Sequence, residues 1–305
     1  MAAAVYTPAL TGDTEQGQQP NAIITPRKTA AALYERSASH LRLDVKMVLI
    51  PVTVTDAADR QLTNLTRDRF RILEDGVEQQ IKSFSQEEAP VSLGLLFDSS
   101  GSMKNRIAAS VESLRLLFQT RTAGDEYFVV QFADEPRLLG GFTSDPAEIH
   151  QRLGFVQARG WTALLDAIAL SAHHMRSAVN RARVLLILSD GSDNNSRYSE
   201  SEIKNLVVES DLRVYGIGLS HRPRLLQQLA EITGGKVLIA QNVSDLPDVV
   251  ERLSREIRAQ YLLGYTSSNP TNDGKYRKVK VEVAAPSGSP ALHVSWRHGY
   301  FAPAE

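Results

Sequence analysis

One short stretch of this sequence combines an acid with hydroxyl side chains in a pattern that could hold a metal ion. In Asp98-Ser99-Ser100-Gly101-Ser102 the acid and two of the serines are spaced two residues apart. Asp98, Ser100 and Ser102 offer only hard oxygen donors, which suit a magnesium-like cation that keeps some of its waters. Such an ion needs further oxygen ligands from elsewhere in the chain.

Two other stretches offer such oxygens where an element begins or ends. Gly160-Trp161-Thr162-Ala163-Leu164 opens a helical segment, with Thr162 at or near the N-cap. Asp190 follows the apolar run that ends at Ser189. If that strand lies beside the strand of Asp98, the two aspartates meet at one edge of the sheet, and Thr162 completes the ring from a neighbouring loop.

A helix cap is the alternative explanation for an acid and serines that follow a strand. Ser100 or Ser102 would then bond the free amides at the start of the next helix. The recurrence of oxygen donors in the two other stretches, at matching positions, favours the metal site. Of the remaining acids, Asp166 is expected to be structural, while Asp134 and Glu135 are expected to form a polar turn.

The segments around these stretches predict an α/β domain with a doubly wound, mostly parallel sheet, because apolar strands alternate with helices. Val91–Phe97 is apolar without interruption, which is typical of a strand buried on both faces. The other predicted strands are Glu126–Phe132, Arg183–Leu188, Arg213–Ile217 and Val237–Ala240, with an antiparallel edge strand at Arg137–Gly141. The predicted helices are Ile107–Gln119, Pro146–Phe155, Ala163–Val179, Glu200–Ser210, Pro223–Thr233 and Leu246–Arg258.

The two flanks of this region predict antiparallel strands. Leu41, Leu43 and Val45 begin a two-residue alternation, and Asp75-Gly76 is a strong hairpin signal. The strands of residues 41 to 85 are too few to bury a core alone, and strands of the same kind return after Arg258. We therefore expect both sets to form one small antiparallel β-sandwich into which the α/β domain is inserted. The expected divisions are a flexible tail (1–38), the two sandwich halves (39–88 and 259–305) and the α/β domain (89–258).

Composition excludes several classes of function. The chain has 305 residues, a formal net charge of -1 and no cysteine. It therefore lacks a global basic field for nucleic acid, and disulfides, thiol catalysis and thiolate zinc sites are excluded. No apolar run approaches the roughly 20 residues of a membrane helix. Met1–Pro20 do not resemble a signal peptide. We expect a secreted or periplasmic protein whose signal peptide is absent from this sequence, and a cytoplasmic protein is the alternative.

The three stretches together resemble the metal-ion-dependent adhesion site of von Willebrand factor type A domains. The stretch at Asp98 resembles that family's DxSxS motif, and Thr162 and Asp190 follow in the family's order. The resemblance covers about residues 90 to 258 and implies a Rossmann-like fold. It also implies that all five metal-ligand positions are filled, by Asp98, Ser100, Ser102, Thr162 and Asp190.

The resemblance implies a function in protein recognition without catalysis. In the family, a divalent cation (Mg²⁺, or else Mn²⁺ or Ca²⁺) accepts an Asp or Glu carboxylate of a partner protein. Trp161 and Asp193 are expected to lie beside the ion and to help bind the partner. The outer strands, with Glu74-Asp75-Gly76 and Arg297-His298-Gly299-Tyr300, resemble a bacterial subgroup of domains related to this family.

Two other functions stay open at this point. A metal-dependent hydrolase or phosphatase would use the same cation to polarise a phosphoryl oxygen. No nucleophile or general base is evident, however, and Ser100 occupies the position where haloacid-type phosphatases have a second acid. The other alternative is a structural assembly protein that associates through the edges of its sheets without using a metal.

Overall fold

The computed structural model describes residues 47–58, 60–86, 89–190, 193–219, 223–285 and 291–304. The predicted tail and the strand residues Leu41, Leu43 and Val45 lie outside these ranges. The strands are β1 Met47–Thr55, β2 Phe70–Glu74, β3 Val77–Gln79, β4 Ile81–Ser85, β5 Val91–Asp98, β6 Glu126–Phe132, β7 Pro136–Leu138, β8 Ala182–Ser189, β9 Arg213–Leu219, β10 Val237–Ala240, β11 Tyr261–Thr266, β12 Tyr276–Val283, β13 His293–Trp296 and β14 Gly299–Phe301. The α-helices are α1 Ile107–Leu114, α2 Pro146–Leu153, α3 Leu164–His174, α4 Glu200–Glu209, α5 Arg224–Thr233 and α6 Leu246–Arg258.

A six-stranded sheet forms the centre of the α/β region, in the order β10-β9-β8-β5-β6-β7. Its strand pairs are parallel except for the antiparallel pair of β6 and β7. All residues of β5 are buried, as its continuous apolar sequence predicts. Leu95 and Leu96, which point to opposite faces, belong to two different apolar clusters. The predicted mostly parallel sheet with helices on both faces is confirmed.

The centre of this sheet brings the acid-bearing strand ends together. Phe97 in β5 pairs with Leu188 in β8, and Asp98 pairs with Phe132 in β6. Because these strands are parallel, the connections that follow them all leave the same edge of the sheet. The strand adjacency on which the predicted meeting of Asp98 and Asp190 depends is therefore present.

Strands from both flanks combine in two four-stranded sheets, ordered β13-β1-β11-β4 and β14-β12-β2-β3. The antiparallel pairs β1–β11 and β2–β12 each join a strand before the α/β region to one after it. Asp75 and Gly76 form the turn between β2 and β3 with φ values of 48° and 86°. Both sheets contribute apolar side chains to one cluster, which includes Ile50, Ile72 and Leu263. Two segments remote in sequence thus bury a shared core.

Two α-helices end five residues before their predicted ends. The segment expected to be helical as far as Gln119 changes to a 3-10 helix at Arg115–Thr120. The segment expected to reach Val179 leaves the α-helix after His174 and makes a 3-10 turn at Met175–Ser177. In both places the backbone bonds tighten to a three-residue spacing, which apolar periodicity does not distinguish from an α-helix. No helix in the described ranges is long and apolar enough to cross a membrane.

Candidate metal centre

Three connections at the carboxyl edge of the central sheet carry the predicted ligands. Asp98 ends β5, and Ser100 is the residue before a 3-10 helix at Gly101–Asn105. Thr162 lies one residue before the N-cap of α3, which is Ala163. Asp190 directly follows β8. The order of the strands and the positions at which the helices begin therefore place these residues at one edge of the central sheet.

Four of the five predicted ligands form one connected cluster. Asp98 Oδ1 accepts a hydrogen bond from the backbone N–H of Ser100 at 2.8 Å. The Oγ atoms of Ser100 and Ser102 are 3.1 Å apart, and the Ser102 hydroxyl donates to Asp190 Oδ1 at 2.6 Å. Ser100 is the N-cap residue of the 3-10 helix Gly101–Asn105. Its side chain nevertheless makes no capping hydrogen bond to that helix, all of whose residues the structure describes. The serine hydroxyls thus face the acids, which the helix-cap alternative does not explain.

Thr162 lies on a loop that is bonded to the other two connections. The N–H of Gly101 donates to the carbonyl of Gly160 at 3.0 Å. On the other side, the N–H of Thr162 donates to Asn194 Oδ1 at 2.8 Å, and the N–H of Asn194 donates to the Thr162 carbonyl at 3.0 Å. These backbone bonds hold the buried Thr162 between the loop of Ser100 and the loop that follows Asp190.

The electrostatics of the cluster favour a cation. Asp98 is fully buried and Asp190 is 5% exposed. Burial raises the pKa of Asp98, hydrogen bonds from Ser189 and Ser100 lower it, and the charge of Asp190 raises it, so that the pKa lies above its usual value. Two neighbouring buried carboxylates repel each other unless positive charge compensates them. In this structure a guanidinium does so, because Arg106 forms an ion pair with Asp190 Oδ2.

Three residues that were not predicted to belong to the site support it. Arg106 is the first, and Ser189 is the second, since its hydroxyl donates to Asp98 Oδ2 at 2.5 Å. The third is Asp134, expected only in a polar turn, which accepts the Trp161 N–H at 2.8 Å. A side-chain carbon at Gly160 would lie 2.2 Å from Asp134 Oδ2, so glycine is required for this close approach. The position of Asp134 just after β6, at the same sheet edge, was an available signal.

The two predicted partner-binding residues differ in their surroundings. Trp161 has 64% of its surface exposed beside Thr162, as a contact residue on the rim would. Asp193 instead accepts hydrogen bonds from the Leu165 N–H at 3.1 Å and the Ser196 hydroxyl at 2.5 Å, which ties its loop to the start of α3. Asp166 has the structural role expected of it, because it accepts two backbone N–H groups from the loop before α4.

The donor set fits a hard divalent cation. Two carboxylates and three hydroxyls supply only oxygen, which suits Mg²⁺, Mn²⁺ or Ca²⁺ rather than a soft metal. No group of three or more His, Cys, Asp or Glu side chains that could hold a metal occurs in the described part of the chain. A metal at this edge would therefore depend on the serine and threonine hydroxyls as well as on the acids.

The sequence matches the family model of the von Willebrand factor type A domain over residues 93–192. That match covers β5 from Leu93 onward, the whole of β8 and all five candidate ligands. Together with the mostly parallel sheet, it shows that the chain contains a von Willebrand factor type A domain. No curated protein matches the sequence.

Solved structures with the same fold include a von Willebrand factor type A protein from Catenulispora acidiphila. It has a TM-score of 0.52 and 15% identity, over 84% of this chain and 73% of that one. Proximal thread matrix protein 1 from the mussel byssus gives a TM-score of 0.50 and 16% identity, over 61% of this chain and 51% of that one. The chain thus spans about half the length of the mussel protein. At these identities the likeness concerns the fold alone.

Proposed function

We propose that this protein binds a divalent cation at Asp98, Ser100, Ser102, Thr162 and Asp190 and uses it to bind a partner protein. The observation that carries the proposal is the hydrogen-bonded cluster of Asp98, Ser100, Ser102 and Asp190 at the edge of the sheet. Mg²⁺ is the expected ion, with Mn²⁺ or Ca²⁺ as substitutes, because every donor is a hard oxygen.

The small number of acids determines what the bound ion can do. Two carboxylates at most cancel the charge of a divalent cation, and the other three ligands are neutral hydroxyls. An ion held in this way stays electrophilic and has room for a carboxylate from outside the chain. The proposed partner therefore presents an Asp or Glu side chain to the metal. Recognition of this kind is the usual function of von Willebrand factor type A domains.

The rim of the site offers further contacts for such a partner. Trp161 exposes 64% of its surface next to Thr162. Arg197, whose side chain is 82% exposed, pairs only loosely with the exposed Glu135 at 3.4 Å. An exposed aromatic ring and an arginine are the side chains that most often dominate binding energies at interfaces. We propose binding without catalysis as the function, and a secreted or periplasmic location stays a prediction from the sequence.

Calorimetric titration of Mg²⁺ and Mn²⁺ into the wild type and Asp98→Ala tests the metal site. We expect one ion per wild-type chain and no measurable binding by Asp98→Ala, because the fully buried ligand is lost. Asp145→Ala is the matched control, since Asp145 only caps α2 through the N–H of Ala147 at 2.9 Å. Absence of binding by the wild type, or equal binding by Asp98→Ala, would contradict the assignment.

A second measurement tests the recognition step. Acidic peptides and their Asn or Gln counterparts, immobilised on a surface, are presented to the protein with Mg²⁺ or with EDTA. We expect retention only on the acidic peptides and only with Mg²⁺. Retention that is the same in EDTA would instead favour association that does not use the metal.

A further inference from the structure

Arg106 adds a positive charge to the proposed metal site from within the chain. It lies at the junction between the 3-10 helix Gly101–Asn105 and α1, four residues after Ser102. Its guanidinium pairs with Asp190 Oδ2, while the other oxygen of Asp190 accepts the Ser102 hydroxyl at 2.6 Å. Both oxygens of this candidate ligand therefore already have partners.

We propose that Arg106 is a tethered counter-ion that competes with the metal for Asp190 and so weakens the metal affinity of the site. This inference rests on the proposed function, because it assigns a role toward the same ion. Arg106 neutralises the buried Asp190 when the metal is absent. When the metal binds, the guanidinium has to share Asp190 or leave it.

The permanent charge of the Arg106 guanidinium is the reason that it competes with a cation for Asp190. A guanidinium does not lose its proton in a protein, so its charge stays beside the site under all ordinary conditions. A divalent cation that binds between Ser102 and Asp190 is repelled by this charge, and the repulsion is strong in a partly dry environment. Lysine offers a single point charge instead of a fork, so it should compete less well for the same carboxylate.

The accessibility of the two side chains permits exchange between the two states. The side chain of Asp190 is 2% exposed, whereas that of Arg106 is 29% exposed. The acid is thus fixed at the site, while the guanidinium has a route toward solvent. Because the Arg106 side chain can move toward solvent without rearrangement of the sheet edge, it competes with the metal ion for Asp190. A fully enclosed guanidinium would instead block the ion from the site.

The inference is tested with Arg106→Met and Arg106→Lys, measured with Mn²⁺ by calorimetry and by thermal unfolding. We expect Arg106→Met to bind Mn²⁺ about tenfold or more tightly than the wild type, because the competing charge is gone. Arg106→Lys should lie between them. Arg115→Met is the matched control, since Arg115 is on the same segment and its side chain is 62% exposed. This control should leave the affinity unchanged although it removes the same charge.

Thermal unfolding in EDTA and in Mn²⁺ separates competition from a purely structural role. We expect Arg106→Met to unfold at a lower temperature than the wild type in EDTA, and to gain more stability from Mn²⁺. If the wild type binds Mn²⁺ but Arg106→Met binds equally or less tightly, the competition is refuted and the metal site stands. If neither protein binds Mn²⁺, both the competition and the metal site are refuted.

Discussion

The five candidate ligands owe their chemistry to the balance between acids and hydroxyls. Asp98 and Asp190 are buried and carry the charge, while Ser100 and Ser102 join them by hydrogen bonds of the cluster. Replacing a hydroxyl by a third acid would cancel more of the charge of a bound cation and reduce its attraction for an outside carboxylate. The neutral ligands are therefore as important to recognition as the charged ones.

Thr162 provides a test of this balance at the scale of a single residue. Thr162→Val keeps the volume of a side chain that is only 4% exposed and removes one oxygen. We expect Mg²⁺ affinity to fall about tenfold, because one hard ligand is replaced by a methyl group. Calorimetric titration of both proteins gives the comparison.

Thr162→Ser is the control for this prediction, because it keeps the hydroxyl and removes only the methyl group. The backbone bonds of Thr162 to Asn194 are independent of the side chain, so both variants should keep the loop. Loss of affinity in Thr162→Ser but not in Thr162→Val would show that packing, and not the oxygen, matters at this position.

At the scale of elements, a buried ion pair fixes the end of α6 to the start of β6. Arg258 donates to Asp125 through Nη1 at 2.9 Å and Nη2 at 2.5 Å, and the two side chains are 5% and 2% exposed. The N–H groups of Val91 and Thr122 also donate to Asp125, at 2.9 and 2.8 Å. One carboxylate therefore holds the beginnings of two central strands and the last turn of a helix.

The pKa of Asp125 makes this contact dependent on pH. Burial alone would raise the pKa, but the hydrogen bonds from Arg258, Val91 and Thr122 and the charge of Arg258 lower it below 3.8. A carboxyl with a lowered pKa stabilises the fold above its ordinary pKa, and this contribution is lost as the pH falls through the folded-state value. Asp125→Asn should therefore cost about 3 kcal/mol of unfolding free energy at neutral pH.

Urea unfolding at several pH values checks this prediction. The deficit of Asp125→Asn relative to the wild type should shrink as the pH falls below about 3.8, because the unfolded wild-type chain then binds a proton at Asp125 that the folded chain binds only at lower pH. The double variant Asp125→Asn with Arg258→Met should lose less than the sum of the single variants, because neither buried group is then left unpaired. A deficit that is the same at every pH would mean that the charge of Asp125 is not responsible.

Elements were predictable from the sequence where one local pattern determines them. Continuous apolar runs located β5, β6 and β10, and the Asp75-Gly76 pair located a hairpin. The 3-10 ends of two helices were not predictable, because they depend on how the chain reaches its next element. Among the residues of the candidate site, Asp98 and Asp190 were accessible through strand order. Arg106 was not, because nothing local to it indicates an acid 84 residues away.

At the scale of the whole molecule, the α/β region is held against the strands that follow it. The N–H of His298 donates to the carbonyl of Ile232 in α5 at 3.2 Å, and Arg297 forms an ion pair with Asp211. α5 ends at Gly234, which has a φ of 76°. The connection between β13 and β14 thus rests on the end of a helix from the central domain.

Gly234 is the position at which this contact is tightest. A side-chain carbon there would lie 2.5 Å from the carbonyl carbon of Trp296 and 2.6 Å from the nitrogen of Arg297. Gly234→Ala should therefore lower the unfolding free energy by about 2 kcal/mol or more, through backbone strain and through separation of the two surfaces.

Two other glycines separate the effect of backbone strain from the effect of the close contact. Gly76→Ala has strain at a φ of 86° with nothing within 4 Å, and Gly141→Ala meets open space without a positive φ. In chemical denaturation we expect losses in the order Gly234→Ala, Gly76→Ala, Gly141→Ala. Equal losses for the first two would mean that the contact with Trp296 adds nothing to the stability of the chain.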